Sequence, residues 1–262
     1  MVCNHSDTLH VWSAPLDTER DVYENLTACL TPDERERAER FRFDQDRRRF
    51  SIARAVLRHI LSAYLCRAPR QIRLRYGPHG KPCLIPEESS AIHFNLAHSD
   101  AFALIALTEG RAVGVDLERI RPQLVTDRLA AATLSYAELA LFRGLPPEKR
   151  ARAFFSIWTR KEAYLKARGV GLSRHLDKIE MSSAADFDAL GAVGPQRLDG
   201  WIIHALAPAA GYAAAVAVAS DRATREDPLQ TGGRGAPFGG PGRALELPIS
   251  NGIARLQVLL PV

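Results

Sequence analysis

Gly114-Val115-Asp116-Leu117-Glu118 reads as a strand, and residues two apart on a strand share a face. Asp116 and Glu118 therefore point the same way, with Val115 and Leu117 on the other side. Two adjacent carboxylates repel unless a cation sits between them or water surrounds them. A divalent ion and a solvated edge strand are the two readings. In Phe154–Lys166 the pattern is helical, and Trp158, Glu162 and Lys166 fall on one stripe at i, i+4 and i+8. Glu162 and Lys166 alone would be an ordinary ion pair, but Trp158 on the same stripe implies partial burial, where charges are costly unless they bind something. His93-Phe94-Asn95-Leu96-Ala97-His98-Ser99 is a strand running into a turn, whose backbone N–H groups with His98 suit a phosphate. Gly80-Lys81-Pro82 allows close backbone approach beside a point charge. Arg47-Arg48-Arg49 is either a basic patch or the solvated face of a helix.

These residues need elements to carry them. Thr8–Ala14 alternates as a strand. Thr31-Pro32-Asp33-Glu34 starts a helix, with a Thr cap, Pro at the first position and acids in the first turn. Arg49–Leu65 continues with helical spacing. Gln71–Tyr76 alternates into a Gly77–Gly80 turn, and Ile92–Ala97 with Phe102–Thr108 forms a hairpin. Arg111–Glu118 is a strand, Thr126–Phe142 carries helices with Ser135 as a cap, and Pro146–Arg168 is a long helix stopped by Gly169. Ile179–Ser182, Trp201–Ala205 and Tyr212–Ala219 read as strands. Strand, helices and strands occur twice, which predicts an α+β fold of two similar lobes, 1–109 and 110–220. Nine of the sixteen residues in 228–243 are Gly or Pro, so 221–262 reads as a flexible tail, largely disordered, with an apolar end able to dock as a stray strand.

With 262 residues, 46% of them apolar and 25% charged, the chain has the composition of a globular protein, not of a fibrous or disordered one. No apolar run approaches the ~20 residues of a membrane helix. The start, Met1–Asp7, lacks a basic and apolar leader, and the four cysteines are scattered. The expectation is a cytoplasmic protein with reduced thiols. The net charge is +5, and residues 31–58 hold nine arginines against six acids. Nucleic acid, an acidic protein and a phosphorylated small molecule all suit that balance. A nucleic-acid module leaves Asp116, Glu118 and Glu162 unexplained, because carboxylates repel backbone phosphates.

Taken in order, Gly80-Lys81-Pro82, Phe94–Ser99, Gly114–Glu118 and Trp158–Leu172 resemble the 4′-phosphopantetheinyl transferases, more narrowly the surfactin-synthetase-activating (Sfp) type, a pseudo-dimer in one chain. The resemblance covers roughly residues 8–220. It implies transfer of the phosphopantetheine arm of coenzyme A to a serine of an acidic apo acyl or peptidyl carrier protein, releasing 3′,5′-ADP. It implies a Mg²⁺ site, open to Mn²⁺, on Asp116, Glu118 and Glu162. Glu162 would also take the serine proton, and Lys166 would neutralise the leaving group. Lys161, Lys81 and His98 would contact coenzyme A phosphates and Arg49 the 3′-phosphate, with Gly80, Pro82 and Asn95 shaping that wall and Arg37 extending a basic lip. The resemblance places carrier docking on apolar residues around Leu124–Leu145. Ala97 stands where many relatives carry a hydroxyl, a loss of ~0.5–1.5 kcal/mol for one hydrogen bond. The implied working form is a monomer with no nucleic-acid or membrane partner. A carrier-binding homologue without activity is the remaining alternative.

Overall fold

The computed structural model describes residues 8–77, 80–85, 91–170, 176–181, 194–220 and 255–261. It divides into two compact units, each mixing helices with antiparallel sheet, so the architecture is α+β. The first holds the described part of Met1–Gly110 together with Arg255–Pro261, the second that of Arg111–Asp227.

In the first unit the order is β1 (Thr8–Pro15), α1 (Arg20–Thr27), α2 (Pro32–Glu39), α3 (Asp44–Leu65), β2 (Leu74–Tyr76), β3 (Pro82–Leu84), β4 (Ile92–Ser99) and β5 (Phe102–Glu109). The apolar stripe of α3 (Ile52, Val56, Leu57, Ile60 and Leu61) is fully buried in one core with Trp12, Ile105 and Leu107. β4 and β5 are the expected hairpin, turning through Asp100 with φ at 51°. At the start of α2 the Thr31–Glu34 capping box forms, and the Glu34 carboxylate reaches further, accepting from Arg58 Nε of α3 at 2.6 Å. Glu34 and Arg58 are both buried, so the cap also ties α2 to α3.

The second unit runs β6 (Val113–Arg119), α4 (Asp127–Thr133), α5 (Tyr136–Gly144), α6 (Pro147–Arg168), β7 (Gln196–Leu198), β8 (Trp201–Leu206) and β9 (Tyr212–Ala219), with antiparallel sheet order β6-β9-β8-β7. α6 lies on this sheet and ends at Gly169 in the left-handed region, φ 70°. The helix comes unusually close because the strands beneath it offer small residues. Ala213, Ala215, Ala217 and Ala219 of β9 belong to the same core as Phe154, Ala163 and Tyr164 of α6. On β6 the approach requires glycine: a Cβ on Gly114 would stand 2.2 Å from Ala167 N and 2.3 Å from Ala163 O. Gly114 pairs with Ala217 and Asp116 with Ala215, so the carboxylate-bearing face of β6 is the face turned to α6.

Two expectations are corrected, and one, the apolar end of the tail as a docked strand, is met. The alternation of Gln71–Tyr76 is strand only over β2, because Pro69–Gln71 forms a 3-10 turn. Ile179–Met181 is not strand but irregular chain after a 3-10 turn at Leu176–Lys178, and Ser182 lies outside the described residues. Most of the tail also lies outside them, but its end is placed: β10 (Arg255–Pro261) pairs antiparallel with β1, giving the sheet order β10-β1-β5-β4. An edge strand satisfies backbone groups that β1 would otherwise expose, which explains why an apolar segment after a Gly/Pro-rich stretch finds a partner.

Candidate active site

In the second unit, α6 and β6 bring together four side chains singled out by sequence. Asp116 is buried, and its Oδ1 accepts from Lys166 Nζ at 2.5 Å. Burial pushes the Asp116 carboxyl above its usual range, while the Lys166 ammonium pulls it down. Glu162, one turn before Lys166, is 4% exposed. Its carboxyl is pushed up to about 7, first by burial and then by the negative charges of Asp116 and Glu118, against the opposing pull of Lys166. Glu118 is half-buried at the open end of the same strand face. Trp158 is half-buried with its ring 5.9 Å from Phe154, so the stripe is partly enclosed as its composition implied. Lys166 thus bonds Asp116 directly, and Asp116, Glu118 and Lys166 all lie near enough to Glu162 to act on its charge.

Whether these residues fit a divalent cation can be asked of their oxygens. Asp116 Oδ2 and Glu162 Oε1 are buried and have no hydrogen-bond partner. Uncompensated buried carboxylate oxygens are costly, and a hard cation is the ligand that all-oxygen donors suit. Among the described residues no three acidic, histidine or cysteine side chains already converge as a closed ion cage. Magnesium seldom uses such cages; it takes one or two carboxylates and fills its remaining positions with water and substrate phosphate. The residues fit that kind of open site.

Lys161 does not fit its expected role. Its side chain is fully buried on another side of α6, and its ammonium donates to Glu138 Oε2 at 2.6 Å, Thr133 O at 2.8 Å and Leu176 O at 3.0 Å. All three N–H groups are spent, leaving none for a phosphate. Glu138 itself ends the capping box Ser135-x-x-Glu138 of α5, so its carboxylate is already held at the start of that helix.

The first unit presents its own polar set. Lys81 is half-buried and follows Gly80, whose φ of 76° closes the turn with Gly80 N donating to Gly77 O. The turn stands beside Tyr76, whose ring lies 5.3 Å from the Arg37 guanidinium and 5.5 Å from that of Arg54. Arg37 is the lip arginine of the sequence reading. Arg54 was missed there: it is buried in α3, and burial lowers its pKa. Pro82 and Asn95 are buried, whereas His98 is exposed at the end of β4. Arg49 does not stand open to a phosphate. Its Nε and Nη2 pair with both oxygens of Asp17 at 2.8 Å, and its Nη1 donates to Asp100 Oδ1 at 2.7 Å. That pairing holds the Asp17 carboxyl below its usual range and fixes the turn that follows His98 and Ser99.

Comparison with known proteins gives this arrangement its context. Residues 112–217 match the 4′-phosphopantetheinyl transferase superfamily, and residues 13–110 match the 4′-phosphopantetheinyl transferase N-terminal family. The two matches meet where the two units do. The 4′-phosphopantetheinyl transferase HetI of Nostoc is 40% identical over 218 residues, 82% of this chain and 89% of its own. The 4′-phosphopantetheinyl transferase Sfp of Bacillus subtilis is 28% identical over 167 residues, 64% of this chain and 71% of its own. AcpT of Escherichia coli is 42% identical over 124 residues, 47% of this chain and 58% of its own. With both units matched and a relative spanning most of both chains, the protein belongs to the 4′-phosphopantetheinyl transferase superfamily, Sfp-type relatives included, and is a transferase of that kind.

Proposed function

We propose that the protein transfers the 4′-phosphopantetheine arm of coenzyme A to a serine hydroxyl of an apo acyl or peptidyl carrier protein, releasing 3′,5′-ADP, with Mg²⁺ bound and Mn²⁺ as a substitute. The observation that carries this reading is the Asp116–Glu162–Lys166 cluster, with a carboxyl near pKa 7 and two orphaned buried oxygens in a chain of this superfamily. Asp116, Glu118 and Glu162 would hold the cation. When bound, it supplies positive charge to the pyrophosphate of coenzyme A.

The residues of the chain do the rest. The serine Oγ forms a bond to the phosphorus that bears pantetheine, and the bond from that phosphorus to the oxygen of the leaving 3′,5′-ADP breaks. Glu162 takes the serine proton. Lys166, one turn along α6, faces the same cluster and offsets charge on the departing phosphate. Lys81 and His98 of the first unit take phosphate contacts, with Gly80, Pro82 and Asn95 forming the backbone around them. Arg49 contributes by holding the His98–Asp100 turn through Asp17 and Asp100. The carrier docks on the α4–α5 side of the second unit, where Leu124 and Tyr136 are exposed among exposed Arg121, Arg128 and Arg143. That surface complements an acidic helix.

Intact-protein mass spectrometry of an apo acyl carrier and an apo peptidyl carrier, each with enzyme, coenzyme A and Mg²⁺, tests the reading. One added phosphopantetheine, abolished by EDTA and restored by Mg²⁺ or Mn²⁺, is expected. No gain on either carrier while coenzyme A still binds would leave a carrier-binding homologue without activity.

A further inference from the structure

Lys161 and Glu138 form the most completely buried ion pair among the described residues, with both side chains fully buried. Burying such a pair brings little net stability, so its hydrogen bonds are the informative feature. Besides Lys161, the Glu138 carboxylate accepts from Ser135 N at 2.8 Å and from Met181 N at 2.7 Å, and Lys161 donates to Thr133 O and Leu176 O. One ion pair thus ties together the last residue of α4, the first turn of α5, the 3-10 turn Leu176–Lys178 and the chain at Met181, all onto α6. Each group in the network is satisfied, which fixes where those segments sit.

The placement of this hub within α6 matters. Lys161 precedes Glu162 directly, and successive helical residues point about 100° apart. Lys161 therefore faces α4 and α5 while Glu162 faces β6. Tyr136, the first residue of α5 and 93% exposed, stands on a segment the hub anchors, and exposed Leu124 lies just before α4, whose last residue the hub holds. The hub that holds that exposed surface and Glu162 are thus adjacent residues of one helix.

From this juxtaposition we infer that Lys161 and Glu138 are positioning residues for the carrier protein: they hold the α4–α5 surface in register with Glu162, and they do not touch coenzyme A. The inference rests on the phosphopantetheinyl-transfer reading above. A merely stabilising pair would affect every kinetic parameter in step with folding, whereas a register device affects the use of one substrate.

The test compares wild type, Lys161→Met and the double variant Glu138→Leu/Lys161→Met, in which the pair is replaced by apolar side chains. Coenzyme A affinity is measured by calorimetry, steady-state constants are measured separately for coenzyme A and for an apo carrier, and thermal stability is followed in parallel. Affinity for coenzyme A is expected to stay within twofold in both variants, while kcat/KM for the carrier falls at least tenfold. The double variant regains thermal stability over the single one yet stays poor with the carrier. A tenfold loss of coenzyme A affinity with unchanged carrier KM would overturn the inference and restore Lys161 as a phosphate ligand. Recovery of carrier use together with stability in the double variant would overturn it too. A wild-type protein that modifies no carrier would defeat the transfer reading itself, a failure visible before any variant is made.

Discussion

Replacing Glu162 by Gln separates what this residue does for the reaction from what it costs the fold. In the metal-free protein the carboxyl is raised from 4.5 to about 7. A raised carboxyl pKa means that the folded state binds the proton more tightly than the unfolded chain. Below about pH 4.5 both states are protonated and the shift has no effect on stability. Between about 4.5 and 7 the folded state holds the extra proton, so stability falls as pH rises. Above 7 the full penalty is present, about 3 kcal/mol from a shift of this size at about 1.4 kcal/mol per pH unit. The side-chain amide of the variant has no such proton to lose. Glu162→Gln should therefore match wild type near pH 4.5 and exceed it by about 3 kcal/mol at pH 8, a Tm gain of roughly 6–12 °C for a chain of this length. The same variant should lose transfer activity. Thermal unfolding from pH 4.5 to 8.5 in EDTA, beside carrier modification with Mg²⁺, measures both effects. Stability profiles of the two proteins running parallel across that range would refute the burial argument, and near-normal turnover by Glu162→Gln would refute its role as base.

Further outcomes follow from the packing. Gly114→Ala inserts a methyl group within 2.3 Å of two backbone atoms of α6, neither of which can swing aside as a side chain would. It should cost about 1–3 kcal/mol or more, as overpacking does, and move Asp116 off Lys166; a Tm within about 1 °C of wild type would show that the close approach is dispensable. Glu34→Gln removes the carboxylate between Arg58 at 2.6 Å and Arg54 at 3.7 Å. Breaking that buried cluster should cost about 3–5 kcal/mol in denaturant unfolding, and a loss below about 1 kcal/mol would contradict it. Truncation before Arg255 uncovers the outer edge of β1. It should lower Tm and promote self-association, read by light scattering; an equally stable, monodisperse truncated protein would contradict the strand pairing.

How much of this was legible in the sequence depended on the range of the interaction. Asp116 and Glu118 could be placed on one strand face, and Glu162 and Lys166 on one helix stripe, because two-residue and four-residue periods are local geometry. The reason the two elements meet was not legible: Gly114 matters only once Ala163 and Ala167 lie against it, 49 and 53 positions on. Lys161 was misread for the same reason. Its neighbour in sequence is Glu162, the proposed base, but its neighbours in space are Glu138, Thr133 and Leu176. Arg49 read as an open cation because its carboxylates, Asp17 and Asp100, come from distant loops. α1 gave no signal, since Glu19 is a poor cap and the helix is only eight residues long. The pairing of β10 with β1 joins opposite ends of the chain, and no local pattern reports so distant a partner.

The central claim is that Asp116 and Glu162 lend their unpartnered oxygens to a divalent cation that coenzyme A helps to hold. Titration with Mn²⁺, followed by electron paramagnetic resonance with and without coenzyme A, addresses it without requiring turnover. In wild type the account predicts weak Mn²⁺ binding alone and at least tenfold tighter binding with coenzyme A present. Asp116→Asn and Glu162→Gln should both abolish that tightening. Equal Mn²⁺ binding by wild type and both variants, with coenzyme A bound, would place the cation elsewhere and contradict the account.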